Sequence, residues 1–196
     1  MSRPLIAVLL LLALGSCGSR EYRAPEQVEN ACAIVTERPH YVTAFQRAER
    51  RWGVEPHVLM AIIHQESKFI ANNRPPRRFF LGIIPRGRAS SAYGYAQALD
   101  GTWDDYKADA GRRFARRDNV DDATDFIGWY MRRTNSVNGI AMNDVYNQYL
   151  AYHEGHAGYR RGTYRSKAWL LNVAANVRSR AVTYERQLAS CRGVRL

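Results

Sequence analysis

The stretch 56–69, PHVLMAIIHQESKF, constrains this chain more than any other. Its residues Val58, Leu59, Ile62 and Ile63 recur at three- and four-residue spacing, which predicts an amphipathic helix, opened by Pro56, with one face turned to a core. Glu66 falls on that same face, one turn beyond Ile62 and Ile63. A carboxylate there is costly to desolvate, and the negative end of the helix dipole disfavours it further, so the carboxyl should keep its proton unusually well. A carboxylic acid held neutral near neutral pH is what a general acid needs. A salt-bridged glutamate at the rim of a core fits the same pattern, so this helix alone leaves both readings open.

The rest of the chain is patterned for helices too. Val28, Cys32 and Val35 share a face of a first short helix. Pro39 opens the next, with Tyr41, Phe45, Ala48 and Trp52 on one stripe and Gly53 past its end. Helical patterning returns at 103–110 and at 121–133, where Asp121 is placed to cap, and again after Asn143, with Val145, Tyr149 and Tyr152 on one face before Gly155. A last long stripe runs from Leu170 through Val177 and Tyr184 to Leu188 and ends at Cys191. No sustained alternation argues for a large sheet. Between the helices, 72–91 contains Pro75, Pro76, Pro85 and arginines 74, 77, 78, 86 and 88 around an apolar island, and reads as a long loop or short ribbon beside the central helix.

The amino terminus and the cysteines speak to compartment. A basic start at Arg3, an apolar run of about ten residues and small residues before Cys17 read as a signal peptide, too short to serve as a stable span. Leu14-Gly15-Ser16-Cys17 resembles the bacterial lipobox, whose cysteine is lipidated, and Gly18 by the same resemblance implies an outer-membrane lipoprotein facing the periplasm. Cys32 and Cys191 then remain, an even count that in an exported chain reads as a disulfide, with free thiols as the alternative. A hydrophobic fraction of 46% supports a packed core and argues against disorder. The net charge of +11 calls for an acidic partner without choosing among nucleic acid, anionic lipid and anionic polymer. Export removes nucleic acid from that set.

Three short motifs occur in order: Glu66-Ser67 at a helix end, Gly94-Tyr95-Ala96-Gln97 after the arginine-rich loop, and Ala151-Tyr152-His153-Glu154-Gly155 closing a helix. Together they resemble the SLT-type lytic transglycosylases, lysozyme-like proteins that cleave bacterial peptidoglycan and carry Glu-Ser, Gly-Leu-Met-Gln and Ala-Tyr-Asn-Ala-Gly at these places. The resemblance covers about 38–191. It implies a mainly α, lysozyme-like fold with little or no β-structure and a division into a signal peptide (1–16), a lipidated cysteine, tether and first helix (17–37), and the transglycosylase domain (38–192). It also implies that Glu66 is the catalytic acid and base, that Ser67 and Gln97 contact the glycan, and that the Tyr152 hydroxyl sits near the catalytic carboxyl. Tyr93 and Tyr95, beside Gln97, are further candidates for sugar contact, with a place in the core as the alternative; the same choice applies to Trp103. Tyr95 and Ala96 depart from the family's Leu and Met, and His153 and Glu154 from its Asn and Ala, which bears on subsite shape more than on the reaction.

Acid-catalysed glycoside cleavage ordinarily needs a second carboxylate at a set separation, and the matched motifs supply none. In the resembling family the substrate's N-acetyl group is the internal nucleophile and the C6 hydroxyl the acceptor, giving a 1,6-anhydromuramoyl end without water or cofactor. Asp100, Asp104, Asp105 and Glu154 keep a hydrolytic muramidase open as an alternative, and a peptidoglycan-binding lipoprotein without activity is another. His153 and His156 are three residues apart across Gly155, which is not the spacing of a helical zinc motif, so no metal is expected, with His64 included. The expected partners are peptidoglycan strands and, through Cys17, a membrane; the expected state is a monomer.

Overall fold

The computed structural model describes residues 22–81, 83–191 and 193; the side chains of residues 78–80, 84 and 85 are not described. The signal segment and Cys17 lie outside the described residues. Within them the chain is mainly helical, and no helix is long and apolar enough to cross a membrane.

Two prolines at first-turn positions start the central pair. Helix α1 (Ala31–Glu37) is capped by Asn30, whose side chain accepts from the Ala33 amide; α2 (Pro39–Trp52) and α3 (Pro56–Ser67) both open on proline, where the missing N–H costs nothing. Gly53 ends α2 in the left-handed region. Helix α3 departs from the amphipathic expectation. Every residue from Val58 to His64 is buried, so the helix is enclosed on all sides and forms the axis of the core. The other helices are α4 (Asp100–Asp109), α5 (Val120–Asn138), α6 (Val145–Arg161) and α7 (Ala168–Ser190): α3 lies along α7, α2 along α5, α6 bridges α5 and α7, and α4 packs on α5.

Buried side-chain hydrogen bonds tie the helices of this bundle together. Asp125, buried on α5, accepts from Arg51 and the Trp52 indole on α2 and from the Tyr106 hydroxyl on α4, fixing three helices with one carboxylate. Beside it, Trp103, Tyr106, Phe126 and Trp129 pack ring against ring with centroids 5.0 to 5.8 Å apart. Trp103 is therefore mostly a core residue.

Several boundaries differ from the sequence expectation. Asn119, rather than Asp121, caps α5, leaving Asp121 to pair with Arg47. Asp144, rather than Asn143, caps α6. Gly155 does not end α6: with φ 73° and ψ 157°, a backbone state open in practice only to glycine, it kinks the helix, which continues to Arg161. Helix α1, the first short helix expected within 17–37, packs into the core. Ala31, Ile34 and Val35 are buried, the Ala31 amide donates to Gln187 on α7, and Cys32 is bonded to Cys191. The segment after Asn72 forms an antiparallel ribbon, β1 (Arg77–Phe80) with β2 (Ile84–Arg88), pairing Arg77 with Arg88 and Phe80 with Ile84.

Candidate active site

The carboxyl terminus of α3 turns sharply because two successive non-glycine residues, Lys68 and Phe69, adopt left-handed backbone, with φ of 53° and 62°. Such conformations cost about 1 kcal/mol or more each and persist only where packing dictates them. Here the packing is plain. Phe69 is fully buried and stacks on Tyr41, with ring centroids 6.1 Å apart. The reversal brings Asn73 back under the helix end, where its side-chain amide donates to the Glu66 carbonyl at 3.3 Å.

Asn73 also receives the second motif. Its carbonyl accepts from the Gly94 amide and from Gln97 Nε2, each at 3.0 Å, and Gln97 Nε2 donates again to the Gly94 carbonyl at 2.8 Å. From the other side the Arg117 carbonyl accepts from the Tyr95 amide at 3.2 Å. This approach is close enough to require glycine at 94: its φ is +82°, and a Cβ built there would lie 2.0 Å from the Arg117 carbonyl oxygen. The turn 93–98 is thus clamped between residues 73 and 117.

The third motif arrives on α6. Tyr149 donates its hydroxyl to Glu66 Oε1 at 2.8 Å, and Tyr152, one turn on, donates to the Ala96 carbonyl at 2.6 Å. The Tyr152 hydroxyl is close enough to Glu66 to feel its charge, but the hydroxyl bonded to the carboxyl belongs to Tyr149, while Tyr152 holds the Gln97 turn. The two rings are near parallel, with centroids 6.4 Å apart. Burial and the Glu66 charge push both hydroxyls far above the ordinary tyrosine range, so both remain donors. Gln97, Tyr130, Tyr152, Glu154 and Gly155 line a cleft of about 210 Å³.

Burial raises the pKa of Glu66 from its ordinary 4.5 to about 7, against the opposing pull of the Tyr149 hydrogen bond and the Lys68 charge. Lys68 in turn donates to His64 Nδ1 at 3.2 Å, and His64 Nε2 lies 3.0 Å from Glu29, which Arg180 also pairs. Desolvation and the nearby Arg180 and Lys68 hold His64 down at about 4. A neutral imidazole that donates through Nε2 and accepts at Nδ1 satisfies this chain of partners.

Two other expected contacts take different positions. Ser67 is 2% exposed, with its hydroxyl donating to the Ile63 carbonyl one turn back in its own helix, so it is not offered to a sugar. Tyr95 is 1% exposed and shares a hydrogen bond with the Tyr41 hydroxyl at 2.9 Å, which makes it core rather than platform. Tyr93 is half-buried at the edge of a second cleft. Glu154 is clamped by Lys167 at 2.7 Å, by Thr163 and by His153; these bonds outweigh burial and hold its carboxyl down at about 2. His153 lies against Trp169 and His156 bonds Thr134, so with His64 on α3 the three histidines stand in separate surroundings, and no metal-binding cluster occurs among the described residues.

Sequence reasoning missed Tyr149 and Asn73 as members of the site. Tyr149 carried one signal, its place on the same helical stripe as Tyr152; Asn73 carried none, because it acts only through the fold.

The chain matches the family model of the transglycosylase SLT domain over residues 5–191, and a comparison with curated proteins finds no relative. The match takes in the whole helical body together with Glu66, Gln97 and Tyr152, and the helical architecture agrees with the lysozyme-like SLT fold. This chain belongs to the transglycosylase SLT domain family, whose members degrade peptidoglycan.

Proposed function

We propose that the chain is a murein lytic transglycosylase that cleaves the β-1,4 bond between N-acetylmuramic acid and N-acetylglucosamine, with Glu66 as acid and then base. The observation that carries this reading is the carboxyl of a half-buried residue whose pKa desolvation lifts to about 7, oriented by a tyrosine hydroxyl at 2.8 Å. Protonated Glu66 gives its proton to the glycosidic oxygen as the bond to C1 breaks. The N-acetyl carbonyl oxygen of the muramoyl residue closes on C1 and forms an oxazolinium. Glu66, now a carboxylate, takes the proton of the C6 hydroxyl, whose oxygen displaces the acetamido oxygen from C1. The products are a 1,6-anhydromuramoyl end and a free 4-hydroxyl, with no water consumed. Tyr149 stabilises the carboxylate between the two proton transfers, when it must not wander.

The surroundings of the other acidic residues favour this path over hydrolysis. Glu154 is locked as a structural anion, Asp100 pairs with Arg117 at 2.7 Å and Asp104 with Lys107 at 2.9 Å, and Asp105 is exposed. The charge that acts on Glu66 is that of Lys68 rather than of a second carboxylate. Incubating purified peptidoglycan with the chain and with its Glu66→Gln variant tests the reading. Muropeptides one water lighter than hydrolytic products, absent with the variant, are expected. Reducing ends would establish a muramidase instead, and binding without release would establish a non-catalytic protein.

We further propose that the chain is exported and anchored in the outer membrane by lipid at Cys17, facing the periplasm. The residues 3–17 support this, as does the Cys32–Cys191 bond, which suits an oxidising compartment. Cys17→Ala should move the protein from the membrane fraction to the soluble one; unchanged fractionation would refute the anchor.

A further inference from the structure

The turn 93–98 has two sides. Gln97 and Ala98 face the cleft beside Tyr152, whereas Tyr93, paired across the turn with Ala98 in an isolated bridge, lines a separate, larger cleft of about 630 Å³. This second cleft is strongly polar, and four basic residues line it against three acidic ones. Three of the basic groups are committed: Arg117 to Asp100 at 2.7 Å, Lys107 to Asp104 at 2.9 Å, and Arg116 to Asp118 at 3.1 Å. Arg74 is different. Its guanidinium lies 4.2 Å from the centroid of the Tyr93 ring, and among the described residues it has no carboxylate partner. Arg117 approaches the same ring at 5.5 Å, and the Tyr93 hydroxyl donates to Asp118 at 3.3 Å, so the ring that carries Arg74 is itself fixed.

A guanidinium held over a fixed aromatic ring, here also hydrogen-bonded to the Tyr93 hydroxyl, is oriented and keeps further N–H groups for a carboxylate. Arg74 also follows Asn73 directly, the residue that joins the Glu66 helix end to the Gln97 turn. A ligand that lies along Gln97 and carries an anionic branch therefore has one cation within a residue of the catalytic framework and in the neighbouring cleft. Peptidoglycan has this form: its muramoyl sugars bear short peptides with several carboxylates. We propose that the cleft between Tyr93 and residues 100–118 is a binding site for the carboxylate-bearing peptide branch of the glycan, with Arg74 as its principal contact. The inference rests on the reading that the Glu66 groove takes peptidoglycan.

The test pairs two measurements on the full chain and its Arg74→Ala variant. In the first, cleavage is followed on peptide-bearing strands and on strands stripped of peptide by an amidase. The variant should show KM raised about tenfold or more on the bearing strands, as expected for a lost charge-assisted pair, with kinetics on stripped strands unchanged. In the second, calorimetry follows binding of the free tetrapeptide L-alanyl-γ-D-glutamyl-meso-diaminopimelyl-D-alanine, which should weaken by a similar factor in the variant. Equal loss on both kinds of strand, no loss on either, or equal tetrapeptide affinity in the two proteins would overturn the assignment. If neither strand is cut by the unaltered chain while tetrapeptide binding still depends on Arg74, the cleft stands and the proposed activity falls.

Discussion

Glu66 should weaken the fold that holds it. In the folded chain its pKa is about 7, against an ordinary 4.5 when unfolded. The folded chain therefore holds this proton more tightly, and as pH rises the unfolded chain loses it first. Stability attributable to Glu66 is fully present below about pH 4.5, falls through the interval up to 7, and is gone above it. At about 1.4 kcal/mol for each tenfold difference in proton affinity, the ionised carboxyl costs the fold about 3 kcal/mol at pH 8. Glu66→Gln removes that cost, because the amide is neutral at every pH and its carbonyl oxygen still accepts from Tyr149. The variant should match the unaltered chain at pH 4 and exceed it at pH 8 by about 3 kcal/mol, or about 6 to 12 °C in melting temperature for a domain of this size. Urea unfolding followed by circular dichroism at both pH values measures the difference. An increment of equal size at pH 4 and pH 8 would mean that shape rather than charge is responsible. No increment at pH 8 would mean that the carboxyl is not desolvated, and the case for Glu66 as a neutral acid would fail with it.

Three further outcomes follow from the same geometry. Tyr149→Phe removes a hydrogen bond to the charged form of Glu66 worth about 1.5 to 3 kcal/mol, so the alkaline limb of kcat/KM should move up by about one to two pH units while kcat falls; a limb that stays in place or moves down refutes the assignment of Tyr149. Gly94→Ala puts a methyl group 2.0 Å from the Arg117 carbonyl oxygen at a φ of +82°, so thermal unfolding should show a loss of about 3 kcal/mol or more, whereas the same change at Gly53, with open space around it, should cost less. Reducing the Cys32–Cys191 bond, which spans 159 residues, should lower stability by up to about 5 kcal/mol in the chain-entropy model, read as a shift of the urea midpoint with and without reductant.

What could be read from the sequence divides along physical lines. Helix positions were legible because burial imposes a three-to-four residue repeat, and proline and left-handed glycine mark ends locally, as at Pro39, Gly53 and Pro56. Caps were legible only to within a residue or two. Asn119 and Asp121 are both capping types, and the choice between them depends on Asp121 reaching Arg47 on another helix. Gly155 was legible as a break but not as a kink, since whether a helix resumes after glycine depends on packing beyond it. The enclosure of α3 was half legible: the stripe was visible, but that Met60, Ala61 and His64 would also find cover depends on how α2, α5 and α7 pack against α3.

The division of roles between Tyr149 and Tyr152 shows where such reading stops. Residues three apart on a helix share a face, so the stripe cannot say which of them reaches a given point on a neighbouring element. The axial position of α6 decides, and α6 is set by contacts remote from Glu66 in sequence: the Tyr130 hydroxyl on the Ala151 carbonyl, the kink at Gly155, and the clamp of Lys167 and Thr163 on Glu154. With α6 so placed, Tyr149 meets the acid and Tyr152 meets the turn that carries Gln97. One helix thereby fixes the distance between Glu66, the proposed acid, and the wall of the cleft. A slide of α6 by one residue, about 1.5 Å, would break both hydrogen bonds together. The departures of His153 and Glu154 from the family's Asn and Ala consequently bear on the site through position: Glu154, held at three sites, anchors the helix that aims both tyrosines.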